Sequence, residues 1–289
     1  MQRTWQGWIW RIASRFALIY LGLVVLLALL QRHFIYFPGR ADELDLLREA
    51  ERNGLFPWRD RDNRLIGWRS RLPGESPRPR GRVVVFHGNA GYALHRIYYI
   101  FGFRGVPDGA LGWDVYLFEY PGYGARPGPR NEENIAAEAR RALQELLLED
   151  PSPAYLAGES LGSSFASRLA AESPDSVAGL FLVTPLTSLA DVAARHHPIF
   201  PVRRMLRERH DVREYLKSYP GPVAFLVAGR DEVMKGGLGE RLYREFRGRK
   251  RLWMQPQAGH NTLDLMPDSP WWREVAEFLE HPDGGSKER

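Results

Sequence analysis

Gly158-Glu159-Ser160-Leu161-Gly162 lies between a short apolar run, Tyr155-Leu156-Ala157, and a helix-forming stretch from Ser163 to Ala171. The pentapeptide therefore reads as the turn from a buried strand into a helix, the setting that a nucleophile elbow needs. A serine at the apex of so sharp a turn is strained, with its hydroxyl exposed. A side chain at either glycine would crowd the facing strand or helix. GxSxG alone is a weak signal because glycine and serine are common, so its weight depends on what the neighbouring strands end in.

Arg82-Val83-Val84-Val85-Phe86 reads as a fully buried strand opening into His87-Gly88-Asn89-Ala90-Gly91. Asp114 to Glu119 is the next strand and ends in Tyr120-Pro121-Gly122-Tyr123-Gly124. From Asn131 to Glu149, apolar residues at Ile135, Ala139, Ala142, Leu143, Leu146 and Leu147 keep helical spacing until Asp150-Pro151. Gly179 to Val183, Pro222 to Ala228 and Arg251 to Gln255 are further strands, with helices at Leu238 to Phe246 and Pro270 to Leu279. Pro57-Trp58-Arg59 and Leu65 to Arg69, joined by Asp60-Arg61-Asp62-Asn63, read as an edge hairpin. Pro73 to Gly81 reads as a loop, and Pro38 to about Pro57 as a polar connector. Strands alternating with helices imply a mostly parallel sheet covered on both faces. The period breaks down between Thr184 and Pro220, where a short lid insertion of about 185–220 is expected over the sheet, with a charged helical piece around Arg203 to Lys217.

Ligands in open parallel sheets bind beyond the carboxyl ends of the strands. Ser160, Asp231 and His260 each follow an apolar run by a few residues, in the order Ser, Asp, His. Acyl transfer needs a nucleophile, a base to take its proton, and an acid that fixes the base's tautomer. It also needs donors for the developing oxyanion. The backbone N–H groups of Leu161, after the serine, and Asn89, in the loop after the first buried strand, are the candidates. Glu232 or Asp264 could replace Asp231 as the acid. His196, His197 and His210 are the rivals of His260, all inside the insertion. His87 suits a role holding its own loop, while Tyr92, Tyr98, Tyr99 and Tyr123 suit packing. His196-His197 has no Asp, Glu or His partner at a recognisable ligand spacing, so neither a metal nor a cofactor is expected.

The motifs His87-Gly88-Asn89-Ala90-Gly91, Tyr120-Pro121-Gly122-Tyr123-Gly124 and Gly158-Glu159-Ser160-Leu161-Gly162, with Asp231 and His260, resemble the serine α/β-hydrolase superfamily. Within it they are similar to the membrane-anchored α/β-hydrolase-domain group, which includes acyl-protein thioesterases and lipid or ester hydrolases. The resemblance runs from about residue 55 to 280. It implies the α/β-hydrolase fold and cleavage of a carboxylic ester or thioester, of a small molecule or lipid, through an acyl-enzyme on Ser160. Two departures stand out. The family's common DxxVP stretch reads Asp231-Glu232-Val233-Met234-Lys235 here, and Ser163 stands where many relatives have glycine. A peptidase on the same fold, or a catalytically silent binding scaffold, are the alternative readings.

Phe16 to Leu30 is an uncharged apolar run, extended to 19 residues by reaching back to Ile12. That length is just enough to span a bilayer. Trp5, Trp8 and Trp10 precede it and Phe34, Tyr36 and Phe37 follow, as aromatic belts do. No small-x-small site follows the run, so an uncleaved single-pass anchor is expected rather than a signal peptide or a buried helix. Three arginines before it and two after favour the following domain lying outside the cytosol. The expected organisation is an anchor over 1–37, a hydrolase domain over 38–283 and a polar tail over 284–289. The formal net charge is +5, and residues 1–40 hold all of it through Arg3, Arg11, Arg15, Arg32 and Arg40. The neutral remainder has no electrostatic case for nucleic acid. Absence of cysteine excludes disulfides, thiolate metal sites and a cysteine nucleophile.

Overall fold

The computed structural model describes residues 2–71, 79–105 and 112–281. In chain order the elements are α1 (Gln2–Ile35), β1 (Phe37–Pro38), α2 (Glu43–Arg52), β2 (Phe56–Arg59), β3 (Leu65–Arg69), β4 (Arg82–Phe86) and β5 (Ala90–Gly91). Next come α3 (Tyr98–Arg104), β6 (Asp114–Phe118), α4 (Glu132–Glu149), β7 (Ala154–Glu159), α5 (Gly162–Glu172) and β8 (Val177–Val183). The chain closes with α6 (Leu189–His196), α7 (Val202–Met205), α8 (Val212–Leu216), β9 (Val223–Ala228), α9 (Leu238–Glu245), β10 (Lys250–Gln255) and α10 (Trp271–Glu280).

Eight strands form one sheet in the order β10-β9-β8-β7-β4-β6-β3-β2. The six strands from β10 to β6 run parallel, and β3 joins β6 antiparallel to begin the edge hairpin with β2. Alternation along β4 shows why the strand reads as continuously apolar. Val84 and Phe86 enter one core with Ile135 and Phe165, while Val83 and Val85 enter the other with Phe103 and Trp272. Successive side chains leave a strand on opposite faces, so a sheet covered on both sides needs apolar residues at every position. Helices α4, α5 and α9 contribute to the first core, and α2, α3 and α10 to the second.

Three expectations change. The connector from Pro38 contains a helix, α2, whose Leu46 and Ala50 are buried beneath a charged outer face. It forms because apolar residues four apart make one stripe, although the flanking charges dominate its composition. The charged helical piece expected around Arg203 to Lys217 is two short helices, α7 and α8, with α6 ahead of them. Phe37 and Pro38 pair in parallel with Ala90 and Gly91, a two-stranded sheet that the sequence pattern does not suggest. The Pro73 to Gly81 loop and the polar tail fall largely outside the described residues. Helix α1 is long and apolar enough to cross a membrane over Gly7–Ile35, and its most apolar window is wholly unburied.

Trp272 is 1 % exposed and meets Tyr99, Phe103 and Phe181 edge-on at 5.6, 5.2 and 6.1 Å. Trp272→Ala is expected to cost about 3–5 kcal/mol, read as a fall in the urea midpoint of the detergent-solubilised protein.

Candidate active site

Ser160 sits between β7 and α5 with φ +52°, one of four non-glycine residues in the left-handed region among those described. An L-residue there is strained and persists only when its surroundings hold it. Ser160 N–H donates to Val183 O at 2.9 Å, and Ser160 O accepts from the N–H of Ser163 at 3.0 Å and from its Oγ–H at 2.6 Å. The two glycines are required by space. A Cβ on Gly158 would stand 2.6 Å from the Cα of Ser163, and one on Gly162 would stand 2.1 Å from Phe86 O and 2.6 Å from His87 O.

His260 follows β10 and Asp231 follows β9, and both side chains are largely buried. His260 Nε2 lies 3.0 Å from Ser160 Oγ, and its Nδ1 lies 3.0 and 2.8 Å from the two carboxylate oxygens of Asp231. The Asp231 carboxylate is itself held by the N–H groups of Val233 and Met234, at 2.9 and 2.6 Å. Glu232 accepts from the backbone N–H of His260 at 3.1 Å instead of from the ring. Hydrogen bonds from its own and His260's backbone N–H hold its carboxyl below the usual range. Asp264 is engaged with Ser269 and Met266. Of the rival histidines, His196 bonds Val233 O at 2.8 Å, and His210 is fully buried between Ser164 Oγ at 2.7 Å and Tyr36 OH at 3.0 Å.

Asn89 follows β4, and its loop is tied down from outside. Asn89 O accepts from Phe37 N–H at 2.9 Å and from Tyr123 OH at 2.8 Å. Leu161 is the residue before α5, so its N–H belongs to the helix end where donors lack intrahelical partners. His87 donates from Nδ1 to Gly88 O at 2.7 Å and stacks on Tyr120 at 3.8 Å, which fits a loop-holding role. Glu159 is gripped by Arg96 at 2.9 Å and by the Tyr98 hydroxyl. Burial first, then the Glu159 charge, drive the Tyr98 pKa upward, so it remains a donor. Sequence reasoning set Tyr36 and Phe37 in an aromatic belt, yet Tyr36 is buried against Glu208 and His210 and the Phe37 N–H holds Asn89, because nothing local marks a residue flanking an apolar helix as a partner of loops 50 to 170 residues away.

Among the described residues, Glu132, Glu208 and His210 bring three possible ligand atoms close enough together to hold a cation, and all three are buried. Each ligand-type atom is already engaged: Glu208 by Arg32 and Tyr36 at 2.6 and 2.8 Å, and Glu132 by Tyr215 at 2.8 Å and by the N–H groups of Arg209 and His210. The cluster therefore fits a hydrogen-bonded brace better than a cation site.

A family model described as alpha/beta hydrolase fold matches residues 81–230. The chain is 35% identical over 268 residues to protein Rv2307c of Mycobacterium tuberculosis, covering 91% of this chain and 92% of that one. It is 28% identical over 186 residues to lysophosphatidylserine lipase ABHD12 of Danio rerio, covering 56% of this chain and 46% of the lipase. The Pyrococcus furiosus esterase Pf2001 superimposes with a TM-score of 0.63 at 18% identity, over 86% of this chain and 98% of the esterase.

Burial depresses the pKa of His210 from its ordinary value of 6.5. The unfolded chain then binds a proton that the folded chain refuses. The associated stability is complete above pH 6.5 and is lost as the pH falls toward the depressed value. The melting temperature is expected to drop more steeply between about pH 7.5 and 5.5 in the native chain than in His210→Asn, as followed by circular dichroism at each pH.

Proposed function

The chain belongs to the α/β-hydrolase family, and from that premise we propose that it is a membrane-anchored serine hydrolase cleaving esters or thioesters of acyl chains. The observation that carries this reading is the 3.0 Å approach of His260 Nε2 to Ser160 Oγ, with Asp231 bonded to the far side of the ring. In the proposed mechanism His260 takes the Ser160 proton as Oγ attacks the acyl carbonyl, and then passes it to the leaving alcohol or thiol. Water, deprotonated by the same imidazole, releases the acid and restores the serine. Asp231 fixes Nδ1 as the protonated nitrogen and steadies the imidazolium. The N–H groups of Asn89 and Leu161 take the oxyanion, the latter aided by the positive end of α5.

Helix α1 serves as the anchor, and the arginine balance around it favours the domain lying outside the cytosol. Residues 1–37 are then an anchor unit and 38–283 a hydrolase unit in which the excursion from about 185 to 220 acts as a short lid. Esterase and lipase relatives, one of them acting on lysophosphatidylserine by name, support an acyl substrate.

A fluorophosphonate probe is expected to label the native protein and not Ser160→Ala; absence of labelling in folded native protein would favour a silent scaffold. His260→Ala is expected to lower kcat by about 10⁴-fold, Asp231→Ala somewhat less, and Asp264→Ala by under about tenfold. Steady-state hydrolysis of an acyl ester checks all three.

A further inference from the structure

Helix α1 does more than lead into the domain, because the lid excursion lies along it. Tyr20 OH donates to Ile199 O at 2.7 Å, and the Tyr20 ring stacks on Phe200 with centroids 6.0 Å apart and planes 4° from parallel. Further along, Gln31 bonds Met205 O and the Arg207 N–H. Arg32 and Tyr36 then meet Glu208. The tip of the excursion thus sits 15 residues before the end of α1, about 22 Å at 1.5 Å per residue.

Bilayer dimensions make that height informative. Gly7–Ile35 is 29 residues long, about 43 Å, whereas a hydrocarbon core is about 30 Å thick and takes about 20 residues. If hydrocarbon begins as early as Gly7, it ends near Leu27, and Tyr20 is still about 10 Å inside it. If it covers Ile12 to Leu30, Tyr20 is at mid-depth. Under either placement the residues touching Tyr20 lie in the acyl-chain region.

The tip is built for that environment. His197 to Val202 carries no Asp, Glu, Lys or Arg, and Ile199 is 73% exposed. Unsatisfied backbone donors are costly in hydrocarbon. Here Pro198 and Pro201 have none, while the N–H groups of His197, Phe200 and Val202 bond Ala193 O, His197 O and Phe200 O at 2.8, 3.2 and 2.8 Å, which leaves the N–H of Ile199 as the one backbone donor of the tip without a bond among the described residues. Arg204, Arg207 and Arg209 follow, exposed and without a carboxylate partner among the described residues. Arg207 and Arg209 are level with Gln31 to Tyr36, where lipid phosphates would stand, and Arg204 can snorkel to them.

Between α1 and the excursion lies an apolar cavity of about 370 Å³, lined among others by Leu27, Ala28, Ile35, Val192, Phe200 and Met205. Its size is in the range of about 300–1,000 Å³ that holds small ligands. Two lining residues connect it to the loops of the candidate site: Ile35 is two residues before Phe37, which holds Asn89, and His196 bonds Val233, two residues past Asp231.

We propose that α1 and the His197–Met205 segment enter the bilayer as one unit, and that the cavity between them takes an acyl chain of a phosphate-bearing membrane lipid laterally from the hydrocarbon phase. This rests on the serine-hydrolase reading for its consequence but not for its geometry. The acyl chain would lie along α1, and its ester would reach the space between the Asn89 and Asp231 loops. The anchor is then one wall of the substrate site.

The chain has no cysteine, so Ile199→Cys carries a single environment-sensitive dye in full-length protein reconstituted in phosphatidylcholine–phosphatidylglycerol vesicles. Blue-shifted emission quenched by mid-chain doxyl lipid is expected, with Leu148→Cys as the aqueous control; water-like, unquenched emission at 199 would overturn insertion. The cavity is tested in Ser160→Ala protein with a phosphatidylcholine bearing a diazirine on its acyl chain, which needs no turnover. Crosslinks are expected within 27–35 and 192–205; crosslinks confined to the outward α1 residues Leu18, Leu21 and Val25 would overturn the site. In otherwise native protein, Ala28→Trp and, from the other wall, Ala193→Trp should each lower the long-chain to short-chain kcat/KM ratio by about tenfold or more. An unchanged ratio in both would overturn it. Loss of all ester hydrolysis in the native protein would sink the hydrolase reading, leaving the crosslinks to decide the cavity.

Discussion

The close approach of α5 to the end of β4 is the constraint on which the site depends. Gly162 has no side chain, so the start of α5 rests directly on the carbonyls of Phe86 and His87. That contact fixes two things together. It forces the chain to turn sharply at Ser160, at the cost of a left-handed serine, and it seats the start of α5 on the strand end from which the Asn89 loop departs. A single methyl group at Gly162 would separate them, because interiors packed at crystal density have no slack to absorb it.

Around that contact the structure adds restraints that come from distant parts of the chain. Phe37 and Tyr123 hold the carbonyl of Asn89, Arg96 and Tyr98 hold Glu159, and Glu232 holds the backbone of His260. A strained turn survives only where such contacts over-determine it. The polar network of Tyr36, Glu132, Glu208 and His210 extends this bracing to α1. Buried charged groups of that kind contribute little net stability, since their desolvation offsets their mutual attraction. The network ties the α1 exit to α4, α5 and the 206–212 stretch at once, which fixes their register. Ser164, on α5, bonds the same His210 that Tyr36 reaches, so the helix behind Ser160 and the exit of α1 share one partner.

Much of this was legible from residue order. Continuous apolar strands such as Val83 to Phe86 announced a sheet buried on both faces, and the helix read from Asn131 to Glu149 is α4, which starts one residue later with Asn131 as its cap, accepting from Asn134 N–H at 2.9 Å. Ser160, Asp231 and His260 could be picked because each follows a strand in a parallel sheet, whose carboxyl ends converge on one edge. Sequence favoured Asp231 by its place at a strand end but left Glu232 and Asp264 as alternatives, since all three lie in loops near that edge. The choice among them is a matter of side-chain direction, and only Asp231 points at the His260 ring. Helix α2 was hidden by its charge content, and α6 by the prolines and histidines that follow it.

Sequence alone determined the sheet, the elbow and the apolar helix, because each is written in a local period or in adjacent residues. Tertiary structure alone decided that β1, just beyond α1, pairs with the Asn89 loop, and that α1 walls an apolar cavity and stacks Tyr20 on Phe200. Those contacts join residues as much as 180 positions apart, and they depend on where the folded sheet places its loops. No local pattern encodes such a meeting, since either partner reads as an ordinary apolar or polar residue until the other is brought to it.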